Sequence, residues 1–343
     1  MNIAPPFILR EDYNEEIVKL LKSVTLGSNG AMYQHQRIDD RIERLYKPIF
    51  LNLEHGGKVL GNITFCRRPQ NWYVRYFAFD GGVQAGKNKP KSKANKDSGL
   101  KKRIESFFQQ AFELEGDAPE TFYAYIDPHN ERSLWMSQNF DFKTIAKIAT
   151  QTFSRVRLKK PTDVYATEVN DEIKHKIFEI YGNHPFFFPL HTFNETPFYT
   201  LVKDHQVVAF AKTHQEEWKI ARLPGKYGKL LKNILPFIPA LNRIIRPNAH
   251  VFTVVDSIWS KDFSPAYLEE LFEGILYYEK TNTLFWWVDK NEPIYQHVQD
   301  KIKWGLLHTI NGVSDVDLVV RTKSSVYLEK IQGPTYVSGF DFI

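Results

Sequence analysis

Three stretches of the chain hold side chains whose types and spacing could do chemistry. The first is NERSLWMSQNFDF, Asn130 to Phe142, which follows directly on YAYIDPH. Asn130 and Ser133 stand one helical turn apart, and Ser137 stands a further turn along. An Asn at such a place is also a preferred cap for the free N–H groups of a helix start. Asp127 ends the preceding apolar run, where a carboxylate can accept a proton or cap the next helix. The second stretch is basic. Lys87, Lys89, Lys91, Lys93 and Lys96 lead into Ser98, Gly99 and Leu100, at the start of a helical pattern. The run reads as a solvated loop, as a guide for a phosphorylated ligand, or as a contact for RNA or another polyanion. The third stretch is HPFFFPLH, His184 to His191. No carboxylate or cysteine sits at ligand spacing around it, so it reads as an apolar loop over a pocket rather than a metal site. The single cysteine, Cys66, excludes an intrachain disulfide and a cysteine-rich zinc centre. The chain has no Gly-x-Ser-x-Gly elbow and no Gly-x-x-x-x-Gly-Lys-Ser/Thr phosphate loop.

The elements that must position these residues are legible from periodicity. DYNEEIVKLLKSV is a helix that Asp12 can cap, with Glu15 three residues on. FLNLEHGGKVLGNITFC is a hairpin turning at His55-Gly56-Gly57, and WYVRYFAF is a further strand. SGLKKRIESFFQQAFEL places Leu100, Ile104, Phe107, Phe108, Ala111 and Phe112 on one helical face. TFYAYID is the strand before the first chemical stretch. The second half repeats this order. A helix, NDEIKHKIFEIY, precedes a hairpin turning at Asp204-His205. HVFTVVDSIW, then SPAYLEELFEGILYYEK with Ser264 as cap and Pro265 first in the helix, then TLFWWVD complete the set. Asp127 and Asp289, which end matching strands, lie 162 residues apart. NEPIYQHVQDKIKWGL then matches NERSLWMSQNFDF in kind. Six elements recurring in one order predict a tandem duplication.

Length agrees: 343 residues exceed the roughly 100–200 expected of one domain. The expected domains are residues 1–158 and 163–343. The second carries a basic, amphipathic insertion at about 223–248, read as a cover over the sheet, a pocket wall, or a membrane or partner surface. Hydrophobic content of 43%, with 15% aromatic, supports real cores and excludes a disordered or fibrous chain. A net charge of +5 permits phosphorylated ligands without calling for nucleic acid. No signal peptide and no membrane span are expected, and a cytoplasmic location is.

This order of elements, twice over nearly the whole chain, resembles the GNAT (Gcn5-related N-acetyltransferase) superfamily. Local motifs add to it. GNAT sequences often show an Asn after the fifth strand, a small residue three on, a Tyr seven on, and Gly-Phe eleven and twelve on. Asn130, Ser133 and Phe142 match, while Ser137 stands for the Tyr and Asp141 for the Gly. In the family the Asn commonly contacts the pantetheine arm of acetyl-CoA, and the Tyr protonates the leaving thiolate. Ser137 is a poor acid, because its hydroxyl pKa lies far above neutrality. The family's pyrophosphate loop, Gln/Arg-x-x-Gly-x-Gly/Ala, aligns with ANKDSG in the first copy and KDFSPA in the second. Gly99 fits the last glycine, whereas Asp97 and Ala94 depart from the pattern. Lys261 and Ala266 fit in the second copy, whereas Ser264 and Pro265 depart.

The resemblance implies an α+β, three-layer α/β/α fold: tandem GNAT-like domains with mixed, mostly antiparallel sheets. It implies an acyl-CoA-dependent N-acyltransferase, with acetyl-CoA or another acyl-CoA as cosubstrate, no metal, and a small-molecule or peptide amine as acceptor. The first copy is the expected coenzyme A site. Phe77, Phe79, Lys96, Ser98, Gly99, Leu100, Asn130 and Ser133 would bind the cosubstrate, and Asp127 and Ser137 would take catalytic roles. A homodimer is allowed. Two other readings stand beside it: a non-catalytic tandem GNAT-fold binding or scaffold protein, and an aminoacyl transferase using charged transfer RNA.

Overall fold

The structure is a computed structural model that describes residues 1, 3–27, 31–80, 99–193, 197–223 and 228–342. The first half of the chain runs β1 (Phe7–Arg10), α1 (Glu15–Ser23), β2 (Met32–His35), α2 (Ile38–Glu43), β3 (Pro48–His55), β4 (Lys58–Arg67), β5 (Asn71–Phe79), α3 (Gly99–Phe112), β6 (Thr121–Ile126), α4 (Glu131–Asn139) and β7 (Lys143–Ser154). The second half runs β8 (Val164–Thr167), α5 (Asp171–Tyr181), α6 (Pro189–Thr192), β9 (Phe198–Lys203), β10 (Gln206–Arg222), α7 (Gly228–Ile234), α8 (Pro239–Ile244), β11 (His250–Ser260), α9 (Pro265–Glu279), β12 (Thr283–Asp289), α10 (Pro293–Val298), α11 (Leu306–Asn311), β13 (Ser314–Thr322), α12 (Ser325–Lys330) and α13 (Gly339–Phe342). The fold class is the expected α+β, with mostly antiparallel strand pairing.

The chain divides into two compact units that are not contiguous in sequence. The first holds Met1–Leu26, Gln34–Ile145 and Leu318–Lys330. The second holds Gly27–Tyr33, Ala146–Asp317 and Ile331–Ile343.

In the first unit the strands run β1-β3-β4-β5-β6, followed by the part of β13 that belongs to this unit. All printed pairings here are antiparallel except β5 with β6, which is parallel. The β3–β4 hairpin turns at Gly56 and Gly57, both at positive φ, where a side chain would be strained. On one face of the sheet α3 lays down Ile104, Phe107, Phe108, Ala111 and Phe112 against Phe65, Trp72, Val74 and Phe122. On the other face α1 buries Ile17, Val18, Leu20 and Leu21 and touches β4 and β5. Asn14, not Asp12, caps α1: its Oδ1 accepts from Ile17 N at 3.0 Å, because the helix begins at Glu15.

The second unit repeats the plan. Strands β8-β9-β10-β11-β12 are followed by the part of β7 that belongs here, and only β11 with β12 is parallel among the printed pairs. The β9–β10 turn sits at Asp204 and His205, both at positive φ. Helix α9 buries Leu268, Leu271, Phe272, Ile275 and Leu276 against one face. Helix α5 lays Ile173, Ile177 and Tyr181 against Phe198 and Phe210 on the other. Ser264 caps α9 by accepting from Tyr267 N at 3.4 Å, and Pro265 stands first in the helix, as expected.

Candidate functional site

Parallel strands stay together only while ladder bonds hold them. In the first unit β5 and β6 pair at Asn71↔Thr121, Trp72↔Phe122 and Tyr73↔Tyr123, and no further. Beyond that point β5 continues to Phe79 and β6 to Ile126, so the two strands fork. A β-bulge marks the fork. Thr64 faces Tyr76 and Phe65 faces Val74, which sets Arg75 as an extra residue on β5.

Alternation gives the fork two unlike faces. Phe77, Phe79, Ala124, Ile126 and Leu100 lie on the apolar side with α3. Phe77 and Phe79 are half-buried, with ring centroids 5.2 Å apart. The Phe79 ring covers Gly61, where a Cβ would come within 2.3 Å of it. Tyr73, Tyr123 and Tyr125 form a ring cluster on the other side, at centroid separations of 5.0 to 6.2 Å. Tyr76 shares this face with Thr64. Its side chain is 9% exposed, and its hydroxyl has no hydrogen-bond partner among the described residues. Buried hydroxyls in native proteins are rarely left so.

At the end of β6, Asp127 Oδ1 accepts from His129 N at 2.8 Å and lies 3.3 Å from His129 Nδ1. The carboxylate is partly exposed and the imidazole mostly so. Asn130 N donates to Asp127 O at 2.9 Å, and Asn130 Oδ1 accepts from Ser133 N at 3.5 Å at the start of α4. Ser137 lies in the last turns of α4, 7% exposed, and its Oγ donates to Phe142 O at 3.3 Å. A hydroxyl so placed has no proton to give without breaking that bond. Asp141 adopts φ 54°, the left-handed region that favours glycine and that Asp tolerates better than most residues. The departure from Gly at this position therefore keeps the backbone corner intact.

Gly99 opens α3 in an exposed position. Among the described residues a Cβ there would meet Arg103 Nη1 alone, at 3.6 Å, so none of them demands a glycine. Lys96 and Ser98, with Lys87, Lys89, Lys91 and Lys93, lie outside the described residues. Tyr76 and His129 are the residues that the sequence reading passed over. Their only sequence signal is position, one in the strand before the basic loop and the other two residues past Asp127.

The second unit has the same fork with a different content. β11 and β12 pair at Thr253↔Leu284, Val254↔Phe285 and Val255↔Trp286, then part. The bulge falls at Ser257–Ile258, with Ser257 at φ 50°. Here a segment of the chain itself spans the opening. Thr335 N and Oγ1 both donate to Asp289 Oδ2 at 2.8 Å, at the end of β12. Gly339 N donates to Asp256 Oδ2 at 2.8 Å, on β11. The Tyr336 hydroxyl lies 2.7 Å from Ser257 Oγ and 3.2 Å from Thr192 Oγ1. Burial, with Asp256 nearby, pushes the Tyr336 hydroxyl pKa well above its ordinary value. Thr335, Tyr336, Val337, Ser338, Phe340 and Asp341 are all buried. Asp289 also accepts from Asn291 N at 2.9 Å, so it is a turn cap and an anchor at once.

The start of α9 is similarly closed. Pro265 has no N–H, Tyr267 N is given to Ser264 Oγ, and Leu268 N to Ser264 O. The HPFFFPLH loop finds its carboxylates from afar. His184 Nε2 lies 3.0 Å from Glu292 Oε2, and His191 Nδ1 lies 3.6 Å from Asp341 Oδ1. Among the described residues no group of three His, Cys, Asp or Glu side chains could hold a metal ion.

No protein-family model matches the chain, and no curated protein matches it by sequence. Solved structures do match by shape. A putative acetyltransferase from Pyrococcus horikoshii aligns with a TM-score of 0.55 at 8% identity, covering 99% of this chain and 97% of that one. Saccharomyces cerevisiae N-myristoyltransferase with bound myristoyl-CoA aligns with a TM-score of 0.54 at 8% identity, covering 94% and 80%. A tandem GNAT protein from the clavulanic acid biosynthesis pathway aligns with a TM-score of 0.53 at 8% identity, covering 93% and 98%. The chain has a GNAT fold.

Proposed function

We propose that the protein is an acyl-CoA-dependent N-acyltransferase whose first unit holds the thioester. One observation carries this reading. At the second fork the bulge hydroxyl, Ser257, is satisfied by Tyr336. At the first fork the Tyr76 hydroxyl, beside the bulge, is buried without a partner among the described residues. An unmade hydrogen bond of this kind costs roughly 1–3 kcal/mol, which a ligand carbonyl or thiolate in the fork would recover. The acyl and pantetheine groups would lie between β5 and β6, against Phe77, Phe79 and Leu100, with Asn130 and Ser133 at the arm. The pyrophosphate would sit at the start of α3, by Lys96, Ser98 and Gly99, where helix N–H groups and dipole favour an anion.

The chemistry follows from the two faces. A neutral acceptor amine approaches from the polar side and attacks the thioester carbonyl carbon. The C–N bond forms, the C–S bond breaks, and the thiolate leaves with the electron pair. Tyr76 is the hydroxyl that can hydrogen-bond and protonate that thiolate. Asp127, with His129 beside it, accepts the proton that the amine loses. Holding amine and thioester together supplies much of the acceleration. Ser137 keeps the α4 corner closed in this scheme. Its committed hydroxyl also favours a second reading, a GNAT fold kept for binding alone.

Thermal denaturation with coenzyme A and acetyl-CoA tests the binding. Ligand at 100 times its Kd should stabilise the fold by roughly 2.7 kcal/mol. No shift at millimolar ligand would overturn the proposal. Release of free thiol with a panel of amines separates enzyme from binding module.

A further inference from the structure

The insertion after β10 carries a surface that the acyltransfer reading does not use. From Lys219 to Asn248 the sequence has seven Lys or Arg residues and no Asp or Glu. Its inner side is anchored. Leu235 and Ile244 are buried, and Leu235 forms a small core with Ile220, Leu223, Leu241 and Ile245. Its outer side is the reverse. Leu230 is 56% exposed, Ile234 41%, Phe237 84% and Ile238 40%, and Pro236, Pro239 and Ala240 are exposed as well. Scattered apolar side chains on a surface are ordinary; a continuous exposed Pro-Phe-Ile-Pro-Ala run is not.

This point is preformed. Ile238 N donates to Leu235 O at 3.1 Å, and Asn242 N to Ile238 O at 2.9 Å. Pro236 and Pro239 fix the backbone on either side of the Phe-Ile pair. Among the described residues Lys232, Arg243 and Arg246 have no carboxylate at ion-pair distance, and Arg243 and Arg246 are exposed. Also among the described residues, no helix is long and apolar enough to cross a membrane, so any lipid contact is peripheral.

We infer that the α7–α8 insertion docks on an anionic lipid surface, with Phe237 and Ile238 entering the headgroup boundary. The charge pattern selects this occupant. A nucleic acid would match the lysines and arginines and leave the exposed aliphatic run without a partner. A neutral bilayer would match the apolar run and leave the charges without one. An anionic bilayer takes both: apolar side chains partition below the headgroups while basic ones meet the surface charge.

The test uses the full chain and phosphatidylcholine vesicles with and without phosphatidylglycerol. Sedimentation should show binding to the anionic vesicles that weakens with added salt. Phe237→Ser with Ile238→Ser should reduce it at least about tenfold. Arg243→Glu with Arg246→Glu should reduce it by a similar factor. Phe237→Trp should give a blue-shifted emission, as a difference from the native chain, on adding anionic vesicles only. Because Phe237 is exposed, these variants should keep the native melting temperature. If the serine pair lowers it, the tryptophan spectrum decides alone. Absence of binding to anionic vesicles, equal binding to neutral ones, or an unshifted difference spectrum from the Phe237→Trp variant would overturn the inference. Capture of a protein partner without vesicle binding would overturn it too.

Discussion

The two forks begin alike and end differently. Each follows three parallel rungs, each carries a bulge on the strand before the helix, and each has a helix on either face. In the second unit the opening is spanned by Thr335 to Asp341, and every polar group named there has a partner from that segment or a neighbouring turn. In the first unit the hydroxyl beside the bulge has none among the described residues. One corner of the fold thus serves as self-contained structure in one unit and as an incomplete surface in the other. The difference turns on which partner satisfies the buried polar atoms.

Asp256→Ala should have the largest effect. It strips the acceptor from Gly339 N and Ser257 Oγ in a buried setting, and should cost on the order of 3 kcal/mol in denaturant unfolding. A second-unit transition that does not move would mean the segment merely rests on the fork. Acid should sharpen the contrast next. Burial, with help from Arg246, lowers the His250 pKa from 6.5 to about 4. The folded value lies below the unfolded one, so the full stability is present above pH 6.5 and is lost as pH falls towards 4. At ~1.4 kcal/mol per pKa unit the loss approaches about 3 kcal/mol. His250→Gln should flatten that slope in pH-dependent melting of the second unit.

In the first unit Tyr76→Phe is the matching change. It removes a buried hydroxyl that has no protein partner among the described residues, so the free protein should be as stable or slightly more so. Thiol release should fall about tenfold or more, as expected for loss of a proton donor. Loss of stability would show that the hydroxyl is a structural group after all. Gly99→Glu should weaken coenzyme A binding about tenfold by calorimetry and leave melting unchanged, since the added Cβ has room among the described residues. Ser137→Ala is expected to be smallest. One hydrogen bond between α4 and the residue before β7 should cost roughly 1 kcal/mol and leave the rate within about twofold.

Much of the fold was legible because it rests on local signals. The turns at Gly56-Gly57 and Asp204-His205, the apolar face of α3, and the Ser264-Pro265 start of α9 are each set by a few adjacent residues. The cap of α1 shows the limit of that reading: Asp12 was the expected cap, and Asn14, two residues on, is the one that accepts from Ile17 N. The site was legible in part. The position after Ser137 that favours glycine is left-handed, as the motif requires, and Asp141 fills it. The commitments of Ser137 and Asp289 to backbone and hydroxyl partners were not legible, because those partners depend on tertiary contact. The bond from Gly339 to Asp256 spans 83 residues, and nothing in the run GPTYVSGF names its acceptor. A carboxylate amid the apolar strand HVFTVVDSIW was the one available sign.

The division of residues 318–343 between the units has a consequence for how the protein is made. Leu318–Lys330 completes the first unit, and Ile331–Ile343 the second. A ribosome that has reached Asp317 has therefore released neither in finished form, although nearly all of both cores has been synthesised. Domains that close early can fold during synthesis, one after the other. Here the open strand edge of the first unit and the unfilled fork of the second must both wait for the same late stretch of chain. A nascent chain stalled in that stretch would expose two unfinished surfaces together, and chaperone capture should peak there.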